Sequence, residues 1–286
     1  NTRCFLLLCG SSMSMMEVGV LSHKSPLYGR KTGHLKMEKL PFSCYHEFYP
    51  RNSIERNIEF YSIVNSIPFY MERFSDGKTT LENVKDEIAS RSGRLFEEID
   101  FLLKEEFREV ESYKKIIEAI SRGNTKLIEI SNHSGIPPNQ LTKYLNALIN
   151  LGIIGKEKRV TEEKPKSKRI IYLLKDNFFD FYFAFIEPFK SDLAIDEFRN
   201  FESNFFKKFN SFVGRKFEVL IREEFIRSIF GEKFNRIGKW WGWRRERKER
   251  KAIEIDIVGL NDQTKQILFA ECKWQEKLNP KPILES

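Results

Sequence analysis

Residues 253–274, IEIDIVGLNDQTKQILFAECKW, have the alternating pattern of a β-hairpin, with charged residues within its apolar strands. Asp256, Glu271 and Lys273 stand among Ile, Val, Leu, Phe and Ala, and the turn formers NDQTK separate the two apolar runs. A charged side chain on such a strand needs a chemical reason, because burying it without a partner costs several kcal/mol.

The hairpin register predicts where these charges meet. If Leu260 pairs with Ile267, Asp256 falls directly opposite Glu271, and opposed residues share a face. Lys273, two residues after Glu271, lies on that face as well. Two facing carboxylates repel unless a cation lies between them, and hard oxygen ligands suit Mg²⁺ or Mn²⁺. The sequence therefore predicts a divalent-metal site.

Two neighbouring segments extend this prediction. The stretch 214–230, GRKFEVLIREEFIRSIF, has the spacing of a helix and places Glu218 close beside its apolar face. The stretch 239–251, KWWGWRRERKERK, joins adjacent tryptophans to a basic run. Trp and Arg side chains together can stack on bases and bind phosphates. The favoured interpretation is that Trp240, Trp241 and Trp243 fill a domain core. For the basic run, phosphate binding and a solvated loop are both left open.

The arrangement D-x(14)-E-C-K, with Glu218 on the preceding helix, resembles the PD-(D/E)xK nuclease superfamily, which has the restriction-endonuclease-like α/β fold. More narrowly, the order IGKWWGW, IDIV and ECKW resembles the C-terminal region fused to archaeal AAA+ ATPases. The resemblance implies metal-dependent hydrolysis of DNA. It makes Asp256 and Glu271 metal ligands, Glu218 an auxiliary ligand, and Lys273 the residue that orients water and stabilises charge on the phosphate.

Two features depart from that family. Ile255 replaces the proline before the first aspartate, and only thirteen residues follow Lys273. The elements expected after the ExK strand are then missing, so residues 213–286 are expected to form an incomplete nuclease-like domain.

Residues 111–176 predict a second unit. Three amphipathic helical patterns end at or near Gly123, Gly135 and Gly152, and two short strands flank a charged tip. Three helices and a β-ribbon make a winged helix-turn-helix.

The polar residues of this unit predict contact with double-stranded DNA, although winged helices also serve as protein-interaction modules. On the third helix, leucines repeat on one stripe and leave polar side chains toward solvent, and the wing is rich in lysine and arginine. The candidate DNA-binding residues are Asn139, Gln140, Thr142 and Lys143 on the helix, and Lys158, Arg159, Lys166, Lys168 and Arg169 in the wing.

Residues 1–110 begin with an apolar run ending in GSS, predicted to be a strand, and continue into helical patterns. The order of a strand ending in GSS, then SPLYGRKTG, LPF, IPFYMERF and LFEEIDFLLKEEF, resembles the second half of an archaeal AAA+ module, with its sensor strand and helical lid. The resemblance implies that Ser11 and Ser12 lie near a γ-phosphate and that Arg30 reaches a nucleotide; the alternative is a strand end and a solvated arginine. No G-x-x-x-x-G-K-[ST] loop occurs, so ATP is expected only in a full-length family member. This chain is expected to be a fragment of such a protein or a remnant truncated at both ends.

The remaining segment, 177–212, is dense in phenylalanine and is predicted to be a helical connector that packs the units together.

Composition agrees with several domains: 286 residues, of which 41% are hydrophobic and 31% charged. The net charge of +8 permits a polyanionic partner. No apolar run is long enough to cross a bilayer, and the cysteines lack paired spacing, which predicts a cytoplasmic protein with reduced, buried thiols and no membrane partner.

Together these features predict an α+β multidomain, DNA-associated protein that derives from an ATPase fused to a nuclease, with a homo-oligomer as a candidate assembly. The alternative is a regulatory interaction module in which the nuclease-like fold is inert.

Overall fold

The computed structural model describes residues 6–10, 22–23, 25–26, 28–30, 32–33, 35, 37–162, 170–246 and 249–275. In these ranges the chain is mainly helical and carries a two-stranded and a three-stranded antiparallel sheet. The predicted α+β class is confirmed. Within the same ranges, no helix has the length and apolar character that crossing a bilayer requires.

The first helices are short and begin at residues that satisfy free backbone N–H groups. The Ser53 hydroxyl accepts a hydrogen bond from Arg56 N at 3.3 Å, and Thr79 and Glu82 form a reciprocal capping box. Pro68 occupies the first turn of its helix, where backbone N–H groups have no acceptor within the helix, so proline's lack of an N–H costs no hydrogen bond. The helices are α1 Tyr45–Phe48, α2 Ile54–Val64, α3 Pro68–Met71, α4 Thr80–Val84 and α5 Glu98–Glu106.

The opening strand predicted from RCFLLLCGSS is not formed at its described residues. Residues 6–10 belong to neither sheet, and Leu6 and Leu7 are 69% and 77% exposed. An apolar run becomes a stable strand only when a neighbouring strand bonds its backbone and a packed layer covers one face. Neither described sheet supplies that neighbour, so the prediction is wrong for residues 6–10.

The next unit has the three helices and the hairpin that the sequence predicts. The helices are α6 Val110–Ser121, α7 Leu127–Ser134 and α8 Pro138–Asn150, followed by β1 Ile154–Glu157 paired antiparallel with β2 Ile171–Leu174. α7 ends at Gly135, whose φ of 72° favours glycine. The stripe of Leu141, Leu145 and Leu148 on α8 is fully buried, at 0% exposure.

The phenylalanine-rich segment is helical and buried. It forms α9 Asn177–Phe181, α10 Lys190–Leu193 and the greater part of α11 Arg199–Leu220, and α12 Arg227–Phe230 follows it. A π-helical turn over Ile221–Ile226 joins α11 to α12. Phe205 and Phe209 stack with ring centroids 4.3 Å apart, and Phe185 meets Phe212 edge to face at 5.3 Å. Such aromatic pairs add to the stabilisation that comes from burial alone.

One hydrophobic core runs from Phe42 to Leu220 and includes buried residues of α1 to α11. It crosses the sequence boundaries proposed at residues 110 and 176. The division into 1–110, 111–176, 177–212 and 213–286 therefore stays a prediction. In the structure, the first three of these units contribute to a single core, and the fourth reaches it at Val213 and Leu220.

The second sheet contains β3 Arg236–Glu246, β4 Glu249–Leu260 and β5 Ile267–Ala270, in the order β3-β4-β5. The basic run after Trp243 continues β3 and β4 on both sides of their hairpin, so its described residues are strand, and the alternative of a solvated loop does not apply to them. A small core of Ile237, Ile257 and Cys272 packs this sheet against the end of α11 through Phe217.

Replacing Phe201 by alanine should lower the free energy of unfolding by about 3–5 kcal/mol, because the side chain is fully buried on α11 and its loss leaves a cavity. The matched control is Phe206→Ala on the same helix. Phe206 is 72% exposed, and its loss should cost less than about 0.5 kcal/mol. Urea denaturation followed by circular dichroism measures both, and equal losses would contradict the packing described for α11.

Candidate active site

A β-bulge shapes the region where β3 and β4 pair. The register shifts between Gly238 and Trp240. Lys239, the residue between them, therefore faces both Asp256 and Ile257. The extra residue of a bulge bends its strand and re-aims side chains, and bulges are common beside active sites. This one brings an acidic residue of β4 next to a lysine of β3.

The pairing of β4 with β5 has Leu260 opposite Ile267, which confirms the predicted register. It ends one step before Asp256 and Glu271, so these two residues lie beside each other where β5 stops.

Asp256 is the anchored member of this pair. It is 8% exposed, and its Oδ2 accepts a hydrogen bond from Cys272 N at 3.0 Å. Burial, followed by the charges of Asp256, Glu218 and Glu271, raises the pKa of the Cys272 thiol to about 11. Because a thiolate is the nucleophilic form, this cysteine is not a nucleophile at neutral pH.

Glu271 and Lys273 form an ion pair at the mouth of the site, with Nζ 3.2 Å from Oε2. Burial raises the pKa of Glu271; Lys273 opposes the rise, and Asp256 adds to it through its charge and a hydrogen bond between the two carboxyls. Burial lowers the pKa of Lys273, but Glu271, Asp256 and Glu218 outweigh this effect and raise it. Lys273 is therefore a cation at neutral pH.

The last turn of α11 supplies Glu218 to the same place. Burial, and then the negative charge of Asp256, raises the pKa of Glu218. Lys239 Nζ lies 3.5 Å from Glu218 Oε2 and 2.5 Å from Glu254 Oε1. Burial lowers the pKa of Lys239, but its pairing with Glu254 and the charges of Glu218 and Asp256 raise it above its ordinary value.

These side chains form one group, called here the carboxylate cluster: Glu218, Asp256 and Glu271 with Lys239 and Lys273. All four residues proposed for catalysis from the sequence belong to it. Their chemical roles stay predictions.

The donor set of the cluster suits a small divalent cation. In the part of the chain that the structure describes, no three His, Cys, Asp or Glu side chains converge on one point as metal ligands. Mg²⁺ is usually held by one or two carboxylates, with water and phosphate oxygens completing its shell. Asp256 and Glu271, close enough to share a hydrogen bond, fit such a site. Glu218 is paired with Lys239, so its role as an auxiliary ligand stays a prediction.

The other residues predicted from the sequence lie outside the carboxylate cluster. Asn139, Gln140, Thr142 and Lys143 are exposed on α8, and Lys158 is exposed after β1. Arg30 is also exposed. Five further predicted residues lie outside the described ranges, namely Ser11, Ser12, Lys166, Lys168 and Arg169.

Arg159 belongs to a contact that the sequence did not predict. Its guanidinium lies over the ring of Trp241, 5.7 Å from the centroid, and the next residue, Val160, donates its N–H to Lys239 O at 3.0 Å. A buried ion pair also holds the hairpin to the π-helical turn after α11: Arg222 Nη2 lies 2.9 Å from Glu157 Oε1, with the arginine side chain 6% exposed. The β1–β2 hairpin is therefore docked on the three-stranded sheet.

The tryptophans do not fill a core as the sequence favoured. Trp243 is 67% exposed, and Trp240 and Trp241 are half-buried. Alternation along β3 points Trp241 and Trp243 to one face and Trp240 to the other. The Trp240 ring lies across Gly242, where a Cβ would come within 2.6 Å of it. The three indole rings lie on both faces of a small, three-stranded sheet. Such a sheet has too few neighbouring side chains to bury all of them.

Lys239 and Glu254 are the members of the site's surroundings that the sequence reasoning missed. Glu254 had a signal, since it stands two residues before Asp256 on the same apolar strand. Lys239 had no such signal, because its position depends on a β-bulge, and no local sequence pattern predicts that bulge.

Replacing Glu271 by glutamine should stabilise the metal-free protein at pH 7. The raised pKa of Glu271 means that its ionised form opposes folding, so stability falls as the pH rises through that pKa, and the neutral amide removes this loss. Because the side chain is 30% exposed, solvent screening limits the gain to about 0.5 kcal/mol. The gain should vanish below about pH 4, where unfolded glutamates are protonated. Urea denaturation in EDTA at both pH values measures it.

The matched control is Asp180→Asn, which breaks a structural ion pair. Lys216 Nζ lies 2.6 Å from Asp180 Oδ2, with the lysine side chain 7% exposed. Leaving that lysine without its partner should cost about 2 kcal/mol at pH 7. Destabilisation by both variants would show that the Glu271 carboxylate is structural and not strained.

Comparisons with known proteins find one family and one relative similar to this chain. Residues 182–283 match the family DUF234, described as archaeal and bacterial proteins of unknown function. An uncharacterized protein of Methanocaldococcus jannaschii is 40% identical over 281 residues, which cover 96% of this chain and 61% of that protein. No solved structure matches the chain significantly. The family match spans α11, the second sheet and the carboxylate cluster, so the candidate active site lies within the DUF234-like region.

Proposed function

We propose that this protein hydrolyses DNA phosphodiester bonds in a reaction that depends on Mg²⁺ or Mn²⁺. The observation that carries the proposal is the meeting of Asp256, Glu271 and Lys273 where β5 ends. Asp256 is buried and anchored to Cys272 N, and Glu271 lies beside it, one step past the last paired residues of β4 and β5. Neighbouring carboxylates are costly to hold together unless they serve a cation.

The side chains have distinct roles in this proposal. The metal ion, held by Asp256 and Glu271, would polarise the phosphate and acidify a bound water. Lys273 keeps its proton, so its ammonium orients the attacking water and stabilises negative charge on the phosphate. Lys239 holds Glu218 at the rim of the site, where the two remain next to Asp256. In this scheme the sheet is a nuclease-like domain of the PD-(D/E)xK type.

DNA recruitment belongs to the helical unit of α6, α7, α8 and the β1–β2 hairpin, which we interpret as a winged helix-turn-helix. The exposed side chains of Asn139, Gln140, Thr142 and Lys143 support this proposal, because amides, hydroxyls and lysines contact base edges and phosphates. Double-stranded DNA is the partner that suits a helix of this kind.

The helices α1 to α5 are proposed to correspond to the lid of an AAA+ module. ATP binding then belongs to a longer protein, which agrees with the 61% of the relative's length that this chain spans. Arg30, exposed ahead of α1, is the described residue proposed to reach a nucleotide.

A non-catalytic regulatory module is the second candidate. It is favoured by the small size of the sheet, which in the described ranges has three strands with β5 at its edge. In this alternative the fold binds DNA or protein without metal chemistry.

Mg²⁺ or Mn²⁺ should permit cleavage of plasmid and linear DNA by the wild-type chain, and EDTA should abolish it. Lys273→Ala should lower the cleavage rate at least about 100-fold, the usual effect of losing one group that stabilises charge in the transition state. Gel analysis of nicked and linear products measures the rate. The matched control is Lys104→Ala, which removes an exposed lysine of α5 and should leave cleavage unchanged.

Metal binding has a separate readout. Mn²⁺ should raise the Tm of the wild-type chain, because a ligand that binds only the folded state stabilises it. The shift should be lost in Asp256→Asn. Absence of both cleavage and a Tm shift in the wild-type chain would reject the nuclease and leave the non-catalytic module.

A further inference from the structure

An open groove of about 450 Å³ runs between the β1–β2 hairpin and the β3–β4 hairpin. Its walls combine aromatic and charged side chains. The residues that matter for its chemistry are Lys126, Arg159, Trp241, Trp243, Ala252 and Glu254.

The floor of the groove is a stacking surface. Trp241 pairs with Glu254 and Trp243 pairs with Ala252, so all four share one face of the sheet. Trp243 is 67% exposed and stands opposite the small Ala252. An indole in this position offers area for a planar ligand at little cost in conformational entropy, since it has few rotatable bonds.

The walls supply positive charge. The Arg159 guanidinium lies 5.7 Å from the Trp241 ring centroid, and its Nε is buried with no hydrogen-bond partner among the described residues. Lys126 lies on the hairpin side, where it also pairs with Glu129 at 2.7 Å. Arg250 is exposed on β4, two residues before Ala252 and on the same face. Cations around exposed rings suit a ligand with both phosphates and aromatic bases.

The groove leads to the carboxylate cluster. Glu254, which lines the groove, bonds to Lys239 at 2.5 Å, and Lys239 contacts Glu218 at 3.5 Å. On β4, Asp256 follows Glu254 by two residues, a distance of roughly 7 Å. An extended nucleic-acid strand that lies over the tryptophans would therefore reach the proposed site of hydrolysis within a few nucleotides.

We propose that this groove binds single-stranded DNA, with unpaired bases stacked on Trp243 and against the Arg159–Trp241 pair. Cleavage of the bound DNA strand rests on the proposed nuclease function, whereas binding of the strand does not. A single strand suits the groove because stacking on an indole requires a free base face, which duplex bases use on each other. The nuclease would then act on an unpaired strand beside a duplex held by α8.

Fluorescence anisotropy with a labelled oligothymidine and with a blunt duplex, both in EDTA, tests the groove without any metal chemistry. Trp243→Ala should weaken binding of the single strand about tenfold and leave duplex binding unchanged. Trp243→Phe should restore most of the affinity, which separates loss of stacking from loss of fold. The matched control is Phe269→Ala, since Phe269 is 62% exposed on β5 of the same sheet and lies outside the groove.

Unchanged single-strand affinity in Trp243→Ala would overturn the proposal, as would an equal loss for single strand and duplex. Wild-type protein that binds an acidic peptide but no single strand would overturn it too. Failure of the nuclease is a different result: single-strand binding that depends on Trp243, without cleavage in Mg²⁺ or Mn²⁺, supports the groove. Cleavage that depends on Lys273, with no effect of Trp243 on binding, rejects the groove alone.

Discussion

The aromatic stripe of α11 is the constraint on which the rest of the fold depends. Four phenylalanines recur at spacings of four, four and three residues, so they lie on one face of the helix. That face packs against Phe181 and Phe185 and joins a core that reaches back to Phe42. Helices as short as α1, α3, α9 and α10 have little stability alone, and burial in the core that includes this stripe stabilises them. The phenylalanines are Phe201, Phe205, Phe209 and Phe212.

Beyond that stripe the same helix changes its winding and connects the units by polar contacts. The π-helical turn over Ile221–Ile226 alters which side chains share a face. Arg222 reaches Glu157 in the β1–β2 hairpin, while the Glu224 carboxylate accepts the Phe42 N–H at 2.7 Å. Glu218, four residues before Arg222, points to the carboxylate cluster. One continuous helical segment therefore fixes the hairpin, the first helices and the site relative to one another.

Sequence reasoning succeeded where a signal is local. Apolar periodicity and glycine stops gave α6, α7 and α8, and alternation with turn residues gave the register of β4 with β5. It failed where the outcome depends on partners far along the chain. The run at residues 6–10 has strand composition but no strand beside it, and the tryptophans of β3 have core composition but only a narrow sheet around them. Of the site, the acidic pair and Lys273 were predictable; Lys239 was not, because a bulge is a property of two strands together.

Lys239, which the sequence did not predict, has two structural roles. Its carbonyl oxygen accepts the Val160 N–H, which covers part of the β3 edge, and its ammonium contacts Glu218 and Glu254. An exposed edge is a template for pairing with other chains, so the backbone contact protects the sheet while it holds Arg159 over Trp241. The side chain neutralises part of the negative charge that Asp256 and Glu271 concentrate nearby. The backbone and the side chain of Lys239, the residue that faces the bulge of β4, thus join the docked hairpin to the carboxylate cluster. A shift of the hairpin would therefore also move the cluster.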